Sequence, residues 1–142
     1  SGRKVNDSMH KNIEDRIIRE MIKKKINIGE SKAHILGYSF KENCPDIRNT
    51  KVIDIANYLN MFNMDINIYD PIANPKELVR SFNFNILSNI NEQKYNLIIC
   101  AVQHNEFLKL TTEDWKKLST NETIIFDIKG IVPRSINNLI RI

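Results

Sequence analysis

The sequence predicts an α/β fold: a three-layer domain with a mainly parallel sheet, preceded by a long N-terminal helix. Three observations predict it. From Lys32 onward, short apolar runs alternate with segments of helical periodicity, the order that builds a parallel sheet with helices on both faces. The runs are apolar nearly throughout, as strands buried on both faces must be. Ahead of them Met9, Ile13, Ile17, Met21 and Ile22 recur at helical spacing and lay an apolar stripe along one helix.

Each element follows from local chemistry. The first helix is expected from Val5 to Lys25, with Asp7 and Ser8 suiting its early turns and Gly29 stopping it. Ile28 to Ser31 reads as a flexible linker. Lys32 to Leu36 is strand one, and Thr50 to Asn60 the helix after it. Asp65 to Tyr69 alternates cleanly as strand two and ends in the turn Asp70-Pro71. Pro75 to Phe82 suits a short helix and Asn85 to Leu87 a weak third strand. Asn96 to Val102 and Thr123 to Ile128 are strong strands. Between them lie short helices at Asn105 to Leu110 and Thr112 to Leu118. Thr111 or Thr112 caps the second, with Glu113 and Asp114 in its first turn. Arg134 to Leu139 is expected as a last helical turn.

Composition narrows the function classes. A chain of 142 residues fits one domain, and 42% hydrophobic with 27% charged residues is globular rather than disordered. The net charge of +4 permits a polyanionic partner. Apart from Lys23 to Lys25, however, the cations are scattered, and no aromatic platform accompanies them, so nucleic-acid binding is not expected. Cys44 and Cys100 lack zinc or redox spacing, so no metal is expected. No secretory leader is recognisable, and a reduced, cytoplasmic setting follows. No apolar stretch reaches the roughly 20 residues that a bilayer demands, so no membrane partner is expected.

The candidate site is the loop from Gly37 to Arg48. In an α/β sheet ligands bind where strands end at their carboxyl termini. A dinucleotide-binding Rossmann domain would carry Gly-x-Gly-x-x-Gly here; this loop has one glycine, so the fold is Rossmann-like without the usual pyrophosphate turn. In its place stand Lys41, a movable point charge, and Arg48, a planar fork. Either they hold phosphate or sugar oxygens, or both are surface residues and Asp46 caps the helix and pairs with Arg48. Asp70 is either a ribose ligand or the initiator of its turn. His104 lies beyond the strand ending at Val102, and no partner carboxylate or nucleophile is identifiable nearby. Cys44 carries no mark of an activated thiol. Lys129 and Gly130 leave the last strong strand and would bring a third cation to the same sheet edge. Trp115 sits in a helical pattern as packing.

From Ile35 to Lys51, Ile-Leu-Gly-Tyr-Ser-Phe-Lys-Glu-Asn-Cys-Pro-Asp-Ile-Arg-Asn-Thr-Lys, the chain resembles the UDP-glucose/GDP-mannose dehydrogenase family of nucleotide-sugar 6-dehydrogenases. Gly2 to Met9, Tyr69-Asp-Pro71, Ala101-Val-Gln-His104 and Phe126-Asp-Ile-Lys-Gly130 extend the resemblance, which leans to the bacterial UDP-N-acetylhexosamine branch. It implies that residues 1–29 are the C-terminal part of a central connecting helix and 30–142 the UDP-sugar-binding C-terminal α/β domain. Phe40 and Lys41 would contact the UDP-sugar, and Lys129 stands where the UDP-glucose branch has a substrate-contacting arginine. Arg48 would reach toward NAD.

The resemblance also implies partners: the UDP-sugar, the remaining domains of the same enzyme, and a second copy in a homodimer. The full enzyme would oxidise C6 of the sugar twice with two NAD, passing through an aldehyde and a cysteine thioester. Its Gly-Gly-Ser-Cys nucleophile motif and the NAD glycine loop are absent from this chain, so no catalytic residue is expected here and Cys44 is not the nucleophile. The alternative is a non-enzymatic α/β module for nucleotide binding or dimerisation, with the long helix as its interface.

Overall fold

The computed structural model describes residues 2–39, 51–73, 84–90 and 93–141, with side chains of the first helix from residue 13 onward. The elements are α1 (Gly2–Lys23), a 3-10 turn at Ile28–Glu30, β1 (Lys32–Leu36), α2 (Val52–Asn60), β2 (Asp65–Tyr69), β3 (Asn85–Ile86), β4 (Leu97–Cys100), α3 (Asn105–Leu108), α4 (Thr112–Leu118), β5 (Ile124–Asp127) and β6 (Leu139–Arg141). The expected helix at Pro75 to Phe82 falls outside the described residues.

Six parallel strands form one sheet in the order β3-β2-β1-β4-β5-β6. The chain first moves outward from β1 to β3, then returns to β1's other side and moves outward again. The order therefore reverses between β1 and β4, the switch point at which open α/β sheets place their ligands.

Period-two alternation divides the strand residues between two cores. Ala33, Ile35, Ile66, Ile68, Leu97, Ile99, Ile124 and Phe126 face α1 and α2, where Ile17, Met21, Val52, Ile55 and Leu59 cover them. Leu36, Tyr69, Ile98, Cys100 and Ile125 join Phe107 of α3 and Trp115 and Leu118 of α4. Full burial of each such aliphatic side chain contributes about 1.5–3 kcal/mol, so both helix layers stabilise the sheet. The lower half of α1 is thus a structural layer of the domain. Asp15 accepts the Tyr58 hydroxyl proton at 3.0 Å, and Lys24 Nζ donates to Asn138 Oδ1 at 2.7 Å. Trp115 is fully buried, and its indole Nε1 has no hydrogen-bond partner among the described residues.

Of the two expected caps of α4, Thr111 and Thr112, the structure uses Thr111. Its hydroxyl accepts from Asp114 N–H at 3.2 Å while Asp114 Oδ2 accepts from Thr111 N–H at 2.8 Å, a reciprocal capping box. The bond from Thr111 N–H leads the causes that hold the Asp114 carboxyl below its ordinary value.

Two expectations need correction. Ile28 to Ser31 is not a loose linker: Ser31 is buried, its N–H bonds Ile28 O at 3.1 Å and its hydroxyl bonds Asn27 O at 2.6 Å. Arg134 to Leu139 is not a helical turn. Ile136 N–H closes a turn on Pro133 O, and Asn138 takes a left-handed φ of 59° that a helix cannot continue through. Asn138 O then accepts Ile125 N–H, and Leu139–Arg141 runs on as an edge strand in register with Ile125–Asp127.

Candidate functional site

The carboxyl ends of β2, β1 and β4 lie side by side, so the residues leaving them meet. Gly37 leaves β1 with φ +96° and its N–H on Tyr69 O at 2.8 Å. A Cβ there would stand 2.5 Å from Val102 Cβ and 2.9 Å from Val102 N. Only glycine lets the exit of β1 cross the exit of β4 this closely. Leu36 O accepts Ala101 N–H at 3.0 Å across the same junction.

Asp70 gathers the backbone beyond these strand ends. Its Oδ2 accepts the N–H groups of Tyr38 at 2.7 Å and Ser39 at 2.9 Å, and meets His104 Nε2 at 2.9 Å. Its Oδ1 accepts the N–H groups of Ile72 and Ala73, both at 2.8 Å. His104 Nε2 also stands 3.0 Å from Ser39 Oγ. Asp70 and His104 side chains are wholly buried, and Ser39 is buried with them. Burial opposes ionisation of Asp70, but the bonds from His104 and from the N–H groups of Tyr38, Ala73 and Ile72 outweigh it. They hold the carboxyl far below the usual carboxylate range.

Serine, histidine and aspartate in contact invite comparison with a hydrolytic triad. The geometry excludes it: hydroxyl and carboxylate meet the same ring nitrogen, so the ring cannot take a proton on one nitrogen while Asp70 orients the other. Oδ2 can only accept, so Nε2 carries the proton. The cluster binds three loops together.

The exit of β5 is built differently. Asp127 Oδ1 accepts Ile131 N–H at 2.9 Å and Oδ2 accepts Val132 N–H at 2.8 Å, closing a turn. Arg141 Nε lies 3.6 Å from Oδ2, with the Arg141 side chain 36% exposed. At the tip Lys129 is exposed, and Gly130, at φ +74°, has open space where a Cβ would stand.

Of the sequence-predicted residues, Phe40, Lys41 and Arg48 lie outside the described residues, as do Cys44 and Asp46. Lys129 is on the expected sheet edge. Asp70 proves to be a turn initiator, and with five donors on its two oxygens it is committed to its own protein. His104 does have a partner carboxylate, Asp70, 34 residues away in sequence. Sequence reasoning misses that pairing, and Ser39 with it. The signal is an aspartate and a histidine each just beyond a strand, and only the strand order joins them. Cys100 is fully buried, and desolvation raises its thiol well above its ordinary value, which makes it inert packing. Among the described residues no group of histidines, cysteines and acids could hold a metal ion, and no helix is long and apolar enough to cross a membrane.

These residues do not fit a dinucleotide held in the usual way. The one switch-point glycine is filled by Val102, and the acid after β2 has no lone pair to offer a ribose.

Comparison with known proteins gives concordant findings. The model of the UDP-glucose/GDP-mannose dehydrogenase family, UDP binding domain, matches residues 34–134. The chain is 36% identical over 133 residues to the UDP-N-acetyl-D-glucosamine 6-dehydrogenase of Salmonella typhi, covering 94% of this chain and 31% of that protein. It is 33% identical over 132 residues to protein CapL of Staphylococcus aureus, covering 93% and 31%. In fold it is similar to the NDP-N-acetyl-D-galactosaminuronic acid dehydrogenase of Methanosarcina mazei, with TM-score 0.82 at 18% identity, covering 99% of this chain and 30% of that one. The chain thus spans about a third of the length of the curated relatives it matches.

Proposed function

This chain belongs to the UDP-glucose/GDP-mannose dehydrogenase family, to its UDP binding domain, and on that premise we propose that it is the C-terminal substrate-binding domain of an NAD-dependent nucleotide-sugar 6-dehydrogenase. The reaction is oxidation of a UDP-hexose or UDP-N-acetylhexosamine to the uronic acid, for capsule or O-antigen polysaccharide. The observation that carries this reading is the family match over residues 34–134, which takes in the exits of β1, β2, β4 and β5.

In this reading residues 1–29 are the C-terminal part of the connecting helix and 30–142 the UDP-sugar domain. Phe40 and Lys41 hold the UDP-sugar, with Lys129 contributing charge from the β5 exit. NAD supplies hydride acceptance and is held by residues outside this chain, with Arg48 reaching toward it. The full-length enzyme is a cytoplasmic homodimer. This domain binds and orients its substrate, shields it from water, and leaves bond-making to groups elsewhere.

Titration calorimetry with UDP tests the assignment. Wild type is expected to bind and Lys41→Ala to bind at least about tenfold more weakly, the loss of one charge-assisted contact to phosphate. Equal heats in both would remove Lys41 from the site. The isolated chain is expected to give no NAD reduction with UDP-sugars; measurable turnover would overturn the division of labour.

A further inference from the structure

We propose that Asp70 and His104 are positioning residues: a buried clamp that fixes the backbone at Tyr38–Ser39 and so sets the point from which the segment beginning at Phe40 and Lys41 leaves the sheet. The proposal rests on the reading that this segment holds the UDP-sugar.

Three features support it, the first of them geometric. Asp70 Oδ2 holds two successive N–H groups, Tyr38 and Ser39, at the point where the chain leaves the sheet. The carboxylate is itself fixed from two sides, by the N–H groups of Ile72 and Ala73 and by the ring of His104. The same ring nitrogen reaches Ser39 Oγ, so the exits of β1, β2 and β4 are joined through one atom. Gly37 against Val102 leaves no room for the exit of β1 to slide.

The second feature is burial. The Asp70 and His104 side chains are 0% exposed, so neither can touch a ligand. The third is cost. A buried polar pair is costly to desolvate, and directional constraint is what its hydrogen bonds add in return. The same face of these strands also holds His34 and Asn67 within the sheet, beside Leu36, Tyr69, Ile98 and Cys100. What sets the Asp70–His104 pair apart is its place beyond the strand ends, where the chain leaves the sheet.

The test uses the full chain with two readouts: UDP affinity by calorimetry, and amide hydrogen exchange at Tyr38 and Ser39. His104→Leu keeps volume and removes the donor. It is expected to speed exchange at both amides and to weaken UDP binding about tenfold, the equivalent of one lost charge-assisted hydrogen bond. His104→Gln, whose amide N–H can still donate to Asp70, is expected to recover most of both. A merely structural residue would lower the melting temperature in both variants without that recovery. Should His104→Leu fail to fold, Ser39→Ala decides. It removes one arm of the clamp, and its expected effect is about threefold on UDP affinity with the melting temperature unchanged.

Unchanged exchange at Tyr38 and Ser39 in His104→Leu overturns the clamp. Faster exchange with wild-type UDP affinity overturns its positioning role, as does wild-type affinity in Ser39→Ala. Absence of UDP binding by the wild type overturns the functional reading, and the exchange data then still decide whether the clamp exists.

Discussion

The exits of β1, β2 and β4 and the exit of β5 share an aspartate and a glycine in two different states of enclosure. Each has an aspartate that gathers backbone N–H groups, a glycine at positive φ and a basic partner. At the switch point the aspartate has five donors and the glycine is pressed against Val102. At β5 the aspartate closes one turn, its arginine is partly solvated, and the glycine faces open space. Aspartate and glycine therefore carry different constraints at the two exits. At the switch point substitution acts on the fold, whereas at β5 the tip can vary and its lysine can meet a ligand.

The largest contrast is between the aspartates. Asp70→Ala strands four backbone N–H groups and the His104 ring in a buried site. At about 1–3 kcal/mol for each orphaned donor, it is expected to abolish cooperative folding at 25 °C. Asp127→Ala strands two N–H groups and unpairs a half-exposed arginine, so about 2–3 kcal/mol is expected. Urea denaturation of both variants measures the difference. Equal losses would erase the distinction between the two exits.

The glycines come next. Gly37→Ala must adopt φ +96° and displace Val102, and a loss of about 3 kcal/mol or more is expected. Gly130→Ala meets only the left-handed penalty, about 1 kcal/mol. Thermal melts of the pair would show whether close contact or backbone conformation dominates at each turn.

Acid separates the clamp from the sheet interior. Burial lowers His34 from 6.5 to about 4, against a hydrogen bond with Asn67 O. The unfolded chain takes up this proton below about pH 6.5 and the folded chain does so only near 4. Stability should therefore fall as pH drops across that window, by up to about 3 kcal/mol. Asp70 has the depressed carboxylate sign. Its contribution is present above the ordinary carboxylate value of 3.8 and is lost as pH falls below it. A His34→Gln chain should lose most of the slope between pH 6.5 and 4; an unchanged slope would assign it elsewhere.

The smallest stability effect is expected at Lys129. Lys129→Ala should unfold within about 0.5 kcal/mol of wild type, since the side chain is exposed. In the proposed function it should nonetheless weaken UDP binding severalfold. Wild-type UDP affinity would leave the β5 exit with no part in the site.

Two strands are legible from sequence to the residue. Lys32–Leu36 and Asp65–Tyr69 fall at their expected bounds, the first from its apolar run and the second from its alternation. The edge strand Leu139–Arg141 is not, because two half-buried residues and an exposed one carry no such pattern and their pairing is decided by Asn138 and β5. The linker expectation at Ile28 to Ser31 fails for a similar reason: the bonds that make it a turn come from backbone and one hydroxyl. At the site, Gly37 is legible as a necessary glycine, though its reason, the side chain of Val102, is not. Asp70 and His104 each stand out in the sequence, but apart. Their partnership exists only because β2 and β4 flank β1, and that order is a property of the sheet.

Trp115 is the chain's one tryptophan and is shut inside the core between α4 and the sheet. An indole in such surroundings emits at short wavelength and shifts to the red when water reaches it. The unfolding of each variant can thus be followed by intrinsic fluorescence, without a label, from a chromophore with no contact to the solvent in which a ligand arrives.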